Sequence, residues 1–272
     1  MLRFNPSPQL DLRASLGRGW RTVRLFSENI ALLVGSRDIV FAETLRPEMS
    51  WNAGINATRR FTLGRAALTA TADFYHTRFQ NQFFPDYDAD PNKAFIANFT
   101  QKSVSNGLQL ECSAGWQRRV ELRAAYNFLD VSRVLNGQKT LLPFNPRHKV
   151  LGVATFRTPG ERWQLDANLH WYGKQRLPDT RNNPENLRRP DFSDPYSIMG
   201  LQVRHDRKQI AFFAGCENLL GFRQTRPILG WEQPFGRGFD PAFAWGPNRG
   251  REFYAGFNFK WDRKPEQNEV PQ

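Results

Sequence analysis

Several common classes of protein are excluded by what this sequence lacks. Its two cysteines, Cys112 and Cys216, are too few for the disulfide framework of a small secreted domain. The longest apolar run, residues 30–35, is far shorter than the roughly 18 residues that a membrane-spanning helix needs. The opening residues, MLRFNPSPQLDLR, lack the apolar core of a secretory signal. The chain is therefore either cytoplasmic or a piece of a longer chain whose signal lies upstream.

Signatures of nucleic-acid binding are missing as well. The sequence has no zinc-finger spacing, no basic region followed by heptads and no aromatic RNA-binding motif. The net charge of +12 would suit an anionic partner. Because the basic residues are scattered rather than gathered on one stripe, the alternative is that arginine simply decorates loops and turns. We expect no nucleic-acid partner.

Catalytic motifs are also absent. There is no Gly-x-Ser-x-Gly elbow, and the glycine-rich residues 17–21 are not followed by a helical pattern that would form a phosphate cradle. Four histidines lack metal-ligand spacing among themselves. They are His76, His148, His170 and His205. We therefore predict that the protein is not an enzyme and holds no metal or cofactor.

One acidic segment, FPDYDADPN, deserves a separate interpretation. Asp86, Asp88 and Asp90 alternate along it and raise the question of a calcium loop. The segment lacks the glycine and the closing glutamate of a known calcium-binding loop. A solvated acidic turn is the preferred prediction.

What the sequence has in abundance is alternation of apolar and polar residues. The stretch GREFYAGFNFKW, residues 250–261, places Phe253, Phe257, Phe259 and Trp261 on one side. The same period of two occurs in WQLDANLHW, VELRAAYNF, QLDLRASL and SWNAGINA. A period of two is typical of strands with one dry and one wet face. Only residues 27–35 favour a short helical turn.

We predict about ten strands, joined by connections that alternate in length. The predicted strands are 9–17, 43–57, 63–75, 99–115, 118–130, 147–157, 161–173, 196–205, 208–219 and 250–261. Short turns are expected at 58–62, 115–118, 157–162 and 205–208, and long loops at 18–42, 76–98, 131–146, 174–195 and 220–249. Long loops on one side only are typical of outer-membrane barrels, which have short periplasmic turns and long extracellular loops.

The residue types on the two faces favour lipid over a second protein layer as the cover of the dry face. In the alternating stretches quoted above, that face carries no Asp, Glu, Lys or Arg. An Arg or Lys facing lipid at mid-bilayer costs about 2–4 kcal/mol, which fixes the facing of each strand. Cys112 and Cys216 share the dry parity, so we expect free, inert thiols. We predict an all-β fold, an antiparallel meander forming part of a transmembrane β-barrel.

The same parity assigns side chains to the membrane boundary and to the barrel interior. Tryptophans at strand ends are predicted to form an aromatic girdle, as in outer-membrane barrels. These are Trp116, Trp163, Trp171 and Trp261. The polar parity predicts lumen-facing residues. They are Asp11, Arg13, Glu111, Glu121, Arg123, Asp166, His170 and Glu217.

Four segments, in order along the chain, resemble the C-terminal part of the barrel of TonB-dependent outer-membrane receptors. LDLRASLGRGWRT resembles the family's strand leading into an arginine-bearing loop, and ETLRPEMSWNAGI resembles the entry to the following strand. FAGCENLLG resembles the Glu-Asn-Leu ending of the penultimate strand. GREFYAGFNFKW resembles the C-terminal insertion signal, with Phe253, Phe257, Phe259 and Trp261 as its alternating aromatics.

This resemblance implies a bacterial outer-membrane location and several partners. They are membrane lipid and lipopolysaccharide, the barrel assembly machinery, a small-molecule ligand, and the TonB complex through a plug domain. The family's barrel has twenty-two strands and an N-terminal plug, and neither the plug nor about half of the strands is visible in this sequence. We therefore expect residues 1–261 to be the C-terminal part of such a barrel, from a fragment or a truncated reading frame. Residues 262–272 are expected to be a polar, disordered tail.

The resemblance also implies active uptake of a scarce nutrient, such as a ferric siderophore or cobalamin. Arginine and aromatic residues of the long loops are the candidate ligand contacts, because guanidinium groups match anionic oxygens and aromatic rings stack on planar groups. They are Arg37, Tyr87, Arg181, Arg188, Arg189, Trp231, Arg237, Trp245 and Arg249. Two alternatives stay open, a passive porin-like or adhesin-like barrel and a soluble all-β carbohydrate-binding protein.

Overall fold

The structure is a computed structural model that describes residues 1–99, 101–135 and 138–261. Its main element is one twelve-stranded sheet, in which eleven strands follow one another in antiparallel order. These are β1 (Leu2–Ser7), β2 (Leu10–Arg21), β4 (Glu48–Leu63), β5 (Ala66–Gln80), β8 (Ser103–Trp116), β9 (Val120–Leu135), β11 (His148–Arg157), β12 (Trp163–Tyr172), β13 (Tyr196–Arg207), β14 (Ile210–Glu217) and β15 (Glu252–Phe259). The twelfth, β10 (Gln138–Leu141), pairs with the end of β9. The predicted all-β antiparallel meander is confirmed.

One face of this sheet is apolar and exposed. Leu165 and Leu169 on β12 keep 40% and 42% of their surface accessible, and Leu122 on β9 and Phe212 on β14 are also exposed. Residues directly opposite one another in antiparallel strands share a face. The register therefore continues this face from Ala124 through Gly152 to Leu169. Large apolar side chains left in the open over so wide a sheet indicate an apolar surrounding.

The opposite face carries polar side chains that bond to one another across the strands. Asn56 donates to Asp73 over 2.6 Å, and Thr155 donates to Asp166 over 2.7 Å. Asp11 is buried and accepts from Arg13 and Arg3. Polar groups in a partly buried sheet face need such partners, since an unmade hydrogen bond is costly there.

A second, smaller sheet lies among the connections. It consists of β3 (Asp38–Phe41), β6 (Gln82–Asp86) and β7 (Lys93–Phe99), with β7 in the middle. β3 pairs with β7 in parallel, and β6 pairs with β7 in antiparallel orientation. A short helix, α1 (Leu25–Glu28), and a 3-10 turn at Ile30–Leu33 pack beside it around Leu25, Leu32, Phe83 and Ile96.

This sheet adds strands to the segments 18–42 and 76–98, which were predicted only as long loops. The short strand DIVF finds its partner KAFIANF only across about fifty residues of sequence, whereas KAFIANF also pairs with the nearer β6. The helical turn predicted at 27–35 is confirmed by α1 and the 3-10 turn.

Several strand boundaries also differ from the prediction. The turn expected at 58–62 is wrong, because those residues continue β4. The chain reverses instead at Gly64, whose φ of +59° is a conformation that favours glycine. β1 and the β9–β10 hairpin were not predicted either. The tail at 262–272 lies outside the described residues.

Two further features of the fold bear on the earlier predictions. Cys112 and Cys216 are free thiols, as expected from their parity. None of the described helices has the length and apolar content needed to cross a membrane.

Candidate functional site: the loop assembly

All the long connections leave the sheet at the same end, because the strands alternate in direction. Those connections span residues 22–47, 81–102, 136–147, 173–195 and 218–251, whereas the opposite end has only short turns. The polar and aromatic contacts described below, together with the hydrogen bond that the N–H of Phe144 donates to the carbonyl of Arg176, join these connections into one unit, here called the loop assembly. Loops on a rigid sheet commonly carry the binding residues of a protein, so this assembly is the candidate functional site.

A buried ion pair joins the first long loop to the last. Arg37 donates from Nε to Asp240 Oδ2 over 2.7 Å, and the two side chains are only 6% and 8% exposed. The Nη1 of Arg37 also donates to the carbonyl oxygens of Tyr87 and Asp90. Arg37 therefore fastens three chain segments together, and its guanidinium faces protein rather than solvent.

A second ionic cluster surrounds Asp88. Its carboxylate accepts from Arg176 over 2.5 Å and from the backbone N–H of Asp179 over 2.8 Å. Arg133, from the end of β9, lies 3.8 Å from both Asp86 and Asp88. The solvated acidic turn predicted here is wrong, because Asp88 is an ion-paired junction between loops. Within the described residues no group of three or more His, Cys, Asp or Glu side chains is placed to hold a metal ion.

Amide side chains and stacked rings hold the last two long loops against the sheet. Gln224 donates from Nε2 to the carbonyl of Phe243, and its Oε1 accepts from the N–H of Trp245. Gln175 donates to the carbonyl of Trp245 over 3.1 Å. The ring of Tyr196 stacks on Phe222 with centroids 4.8 Å apart. Trp245 thus lies in the middle of a packed junction, with partial exposure.

Asn218 fixes both ends of the final long loop. This buried side chain, with φ of +48°, donates from Nδ2 to the carbonyls of Phe222 and Arg249 over 2.7 and 3.0 Å. It is the asparagine of the FAGCENLLG segment. The structure therefore gives a physical reason for asparagine there, since a short amide tolerates a positive φ and supplies two donors.

The predicted ligand contacts are not equally accessible. Arg188, Trp231 and Arg237 are exposed, and so are Arg181 and Arg249, which pair with Asp179 and Glu252. Arg189 and Trp245 are half-buried. Arg37 is buried and Tyr87 is packed beneath it, with the guanidinium carbon 5.0 Å from the ring centroid. The first group is accessible from solvent, whereas Arg37 and Tyr87 are packed inside the loop assembly.

The other predicted positions fall into rows on the two faces of the main sheet. Asp11 pairs with Thr58, and Glu111 pairs with Thr71. Because Thr58 and Thr71 pair with each other, both acids lie in one polar row across the strands. That row continues along the register to His170. A second polar row contains Glu121 and Asp166, and Arg123, Arg13 and Glu217 share the same parity. A lumen role for these side chains stays a prediction.

Aromatic residues mark both ends of the apolar face. Trp116 and Trp163 lie at the short-turn end and are exposed. Trp171 lies at the loop end, and Trp261 follows β15. Trp20 and Trp51, which the sequence-based girdle omitted, are exposed on the apolar parity at the loop end. Trp20 was missed because β2 extends to Arg21, beyond the predicted end at residue 17. Trp51 lies within the predicted strand 43–57, where the alternation already placed it on the apolar side.

Sequence reasoning missed Asp240, Asp88, Gln175 and Gln224 as organising residues of the loop assembly. Each lies in a segment without periodicity, and the partners of Asp240, Asp88 and Gln175 are 203, 88 and 70 residues away in sequence. Only Asn218 had a signal, the Glu-Asn-Leu segment.

The phenol of Tyr87 gives a pH-dependent prediction for this assembly. Burial and the nearby Asp240 carboxylate raise the pKa of Tyr87 to about 12. An unfolded tyrosine has a pKa of about 10, so between these values the unfolded chain loses the proton first and the free energy of unfolding falls as pH rises. Urea unfolding between pH 10 and 12 should show a smaller decline in the Tyr87→Phe variant than in the unmodified protein. Equal declines would contradict burial of this phenol.

Comparison with known proteins identifies the family. The family model described as "TonB dependent receptor-like, beta-barrel" matches residues 1–219. Since that match covers most of the chain, the protein belongs to the family of TonB-dependent receptor β-barrels, which are outer-membrane transport receptors. No curated protein sequence matches significantly.

Solved structures agree with this fold at low sequence identity. The ferric enterobactin receptor PfeA of Pseudomonas aeruginosa is 17% identical, with a TM-score of 0.64 over 94% of this chain and 39% of its own. The ferric-catecholate import receptor Fiu of E. coli K12 is 12% identical, with a TM-score of 0.63 over 94% of this chain and 34% of its own. The copper transporter OprC is 15% identical, with a TM-score of 0.66 over 95% and 38%. The chain thus spans little more than a third of the length of these structures.

Proposed function

We propose that this chain supplies barrel wall and extracellular loops to an outer-membrane receptor that takes up a scarce nutrient by TonB-coupled transport. The observation that supports this proposal is the loop assembly, in which five long connections are held together at one end of a sheet whose apolar face is exposed. The named activities of the similar structures, ferric-siderophore reception and copper transport, support a chelated metal or a comparable small ligand such as cobalamin.

The chemistry of the exposed loop residues supports an anionic ligand with a planar group. Arg188 and Arg237 present guanidinium groups near the surface, and Trp231 leaves more than half of its area accessible. Guanidinium forks bind carboxylate or phenolate oxygens in pairs, and an indole face stacks on flat rings. Arg181 and Arg249 are secondary candidates because carboxylates already pair with them, and Arg189 and Trp245 because they are half-buried. Arg188 stays exposed although its Nε donates to the carbonyl of Asn183.

The two free edges of the main sheet constrain how the barrel is completed. The eleven consecutive strands in the described residues are odd in number, so β1 and β15 run in the same direction. Pairing these two edges with each other, or with a second copy around a barrel axis, would require parallel neighbours, whereas barrels of this kind are antiparallel. We infer that a segment with an odd number of strands lies between the edges, with residues 1–261 as the C-terminal part of the barrel.

Further partners follow from this placement. Lipid would cover the apolar face, and lipopolysaccharide phosphates would meet the exposed loop arginines. Phe253, Phe257, Phe259 and Trp261 project their rings from the outer side of β15, where the barrel assembly machinery would read an insertion signal. TonB would act through a plug, and the ligand would be released along the polar face of the sheet.

An uptake assay tests the proposal. The gene, with its genomic upstream sequence, is expressed in a strain that lacks its own ferric-siderophore receptors, and uptake of radioactive iron as ferric enterobactin is measured. We expect uptake that is lost when TonB is deleted. Arg188→Gln and Trp231→Ala should each lower uptake by roughly tenfold, as expected when one anchoring contact of 1–2 kcal/mol is lost.

The matched control is Arg119→Gln, which removes an exposed arginine from the short turn between β8 and β9 at the other end of the sheet. Its uptake should equal that of the unmodified receptor. Uptake that persists without TonB would support a passive barrel instead, and the transport proposal would be abandoned.

A further inference from the structure

The last two strands of the main sheet pair without a tight turn between them. β14 and β15 lie side by side along their whole length, yet the connection between them spans residues 218–251. In a hairpin the turn fixes the register of its strands, whereas a loop of this length leaves the register free. Asn218 holds the loop ends through backbone carbonyls, which every residue offers, so it does not select one alignment either.

The alternation of apolar and polar residues on β15 restricts the register only in part. A shift of β15 by one residue would turn its phenylalanines to the polar face and is therefore excluded. A shift by two residues keeps every side chain on its own face, while it moves the strand by about 7 Å against an apolar band of about 25 Å. A feature other than polarity must therefore exclude the two-residue shifts.

Each of these two strands places one aromatic ring over a glycine of the other. On the polar face Phe213 lies opposite Gly256, and Tyr254 lies opposite Gly215. A β-carbon added to Gly256 would lie 2.6 Å from the ring of Phe213, and one added to Gly215 would lie 2.5 Å from the ring of Tyr254. Because unbonded carbon atoms prefer to be about 3.5–4.0 Å apart, each ring occupies space that only a glycine leaves open.

Tyr254 extends across β14 to the next strand. Its hydroxyl donates to Oε1 of Gln202 over 3.2 Å, and Gln202 lies directly opposite Gly215 on β13. The rings of Phe213 and Tyr254 are neighbours, with centroids 6.4 Å apart. Two rings and two glycines thus interlock, and one of the rings joins three strands.

Only one alignment of the strands satisfies both pairs. If β15 moved by two residues in one direction, Tyr254 would lie opposite Phe213 and the two rings would collide. If it moved in the other direction, Gly256 would lie opposite Gly215 and neither glycine would be covered by a ring. An aromatic ring that covers a glycine of the neighbouring strand helps to fix the register of a sheet.

We propose that Phe213, Gly215, Tyr254 and Gly256 form a register clasp, which selects the alignment of β15 on β14 as the barrel assembles. The clasp keeps the outer row of aromatic residues on β15 at one height in the membrane. This inference rests on the barrel proposed above, but its test needs neither a ligand nor TonB. A failure of uptake would therefore leave it standing.

Disulfide cross-linking in the outer membrane measures the register. The receptor is expressed with its genomic upstream sequence, and Cys112→Ser and Cys216→Ser remove the native thiols. Ala211→Cys with Asn258→Cys marks the native alignment, since these residues lie directly opposite each other on the polar face. Only the folded, heat-modifiable form is scored.

Two other cysteine pairs mark the shifted alignments. Gln209→Cys with Asn258→Cys would become opposite after a two-residue shift in one direction, and Ala211→Cys with Lys260→Cys after a shift in the other. In the receptor with an intact clasp we expect strong cross-linking of the native pair and weak cross-linking of the shifted pairs.

Gly256→Ala should raise the ratio of shifted to native cross-links by about fivefold, the effect of losing one strong cross-strand pair. Phe213→Ala should raise the ratio by a similar factor, and it creates no clash that could prevent folding. The double variant should resemble Phe213→Ala alone, because the three atoms nearest to the added β-carbon all belong to the Phe213 ring.

Gly107→Ala is the matched control. Gly107 lies on the polar face of β8, where the nearest atom to an added β-carbon, on Leu129, is 3.8 Å away. Its cross-link ratio should equal that of the receptor with an intact clasp. An unchanged ratio in both Gly256→Ala and Phe213→Ala, or a double variant whose effect is the sum of the two, would overturn the proposal.

Discussion

Leu169→Arg and Leu165→Arg are expected to abolish most of the folded, heat-modifiable form of the protein in the outer membrane. Both leucines lie on the exposed apolar face of β12, within two or three residues of its middle. A lipid-facing arginine at mid-bilayer costs about 2–4 kcal/mol, a large part of the net stability of a protein. The measurement is the fraction of folded barrel on a gel of unheated membranes.

The matched control is Asp166→Arg on the same strand. Asp166 lies on the polar face, where it accepts hydrogen bonds from Thr155 and Gln164. Arginine there loses these bonds but remains on the wet side, so most of the protein should still assemble. If Asp166→Arg and the two leucine variants impaired assembly equally, the assigned facing of β12 would be incorrect.

Breaking the Arg37–Asp240 pair is expected to destabilise the loop assembly by about 3–5 kcal/mol, because either partner alone would be a buried, uncompensated charge. Asp240→Asn keeps an acceptor for the N–H of Ala242 while removing the charge that balances Arg37. Arg37→Met removes the guanidinium but leaves the carbonyl of Tyr87 without its donor. Urea unfolding in detergent and trypsin cleavage of the loops on intact cells measure the effect.

The double variant distinguishes coupling from independent damage. Arg37→Met combined with Asp240→Asn should lose less stability than the sum of the single variants, since no charge is left unpaired. Arg181→Met is the control, because the Arg181–Asp179 pair has a largely exposed arginine. It should change stability by no more than about 1 kcal/mol. Additive single effects would show that Arg37 and Asp240 do not stabilise each other.

The main sheet was predictable because its rule is local. In a strand with one face in an apolar surrounding, every second residue is apolar. Leu165, Ala167 and Leu169 therefore identify the dry face from the local sequence alone, without knowledge of which strands lie beside them. The turn at Gly64 was misplaced because residues 58–62 combine polar residues with a continuing alternation through Phe61 and Leu63. Polarity suggested a turn there, whereas the actual reversal depends on a single backbone conformation.

The loop assembly was not predictable, because its stability depends on partners far apart in sequence. Arg37 had the residue type and loop position expected of a ligand contact, yet Asp240 lies about two hundred residues away and binds it inside the protein. The parallel pairing of β3 with β7 is equally non-local. By contrast, Arg188, Trp231 and Arg237 are exposed, and their role as ligand contacts stays a prediction.

The fastening of residues 218–251 by Asn218 has a consequence for how such a protein diversifies. The side chain of Asn218 holds the two ends of the segment together by hydrogen bonds, so a change in the stretch between them need not move β14 or β15. Insertions or a transplanted epitope near the exposed Phe235 would leave the strand register undisturbed. The sequence of the outermost loop surface can thus change, in evolution or by design, while the strands beneath it keep their pairing.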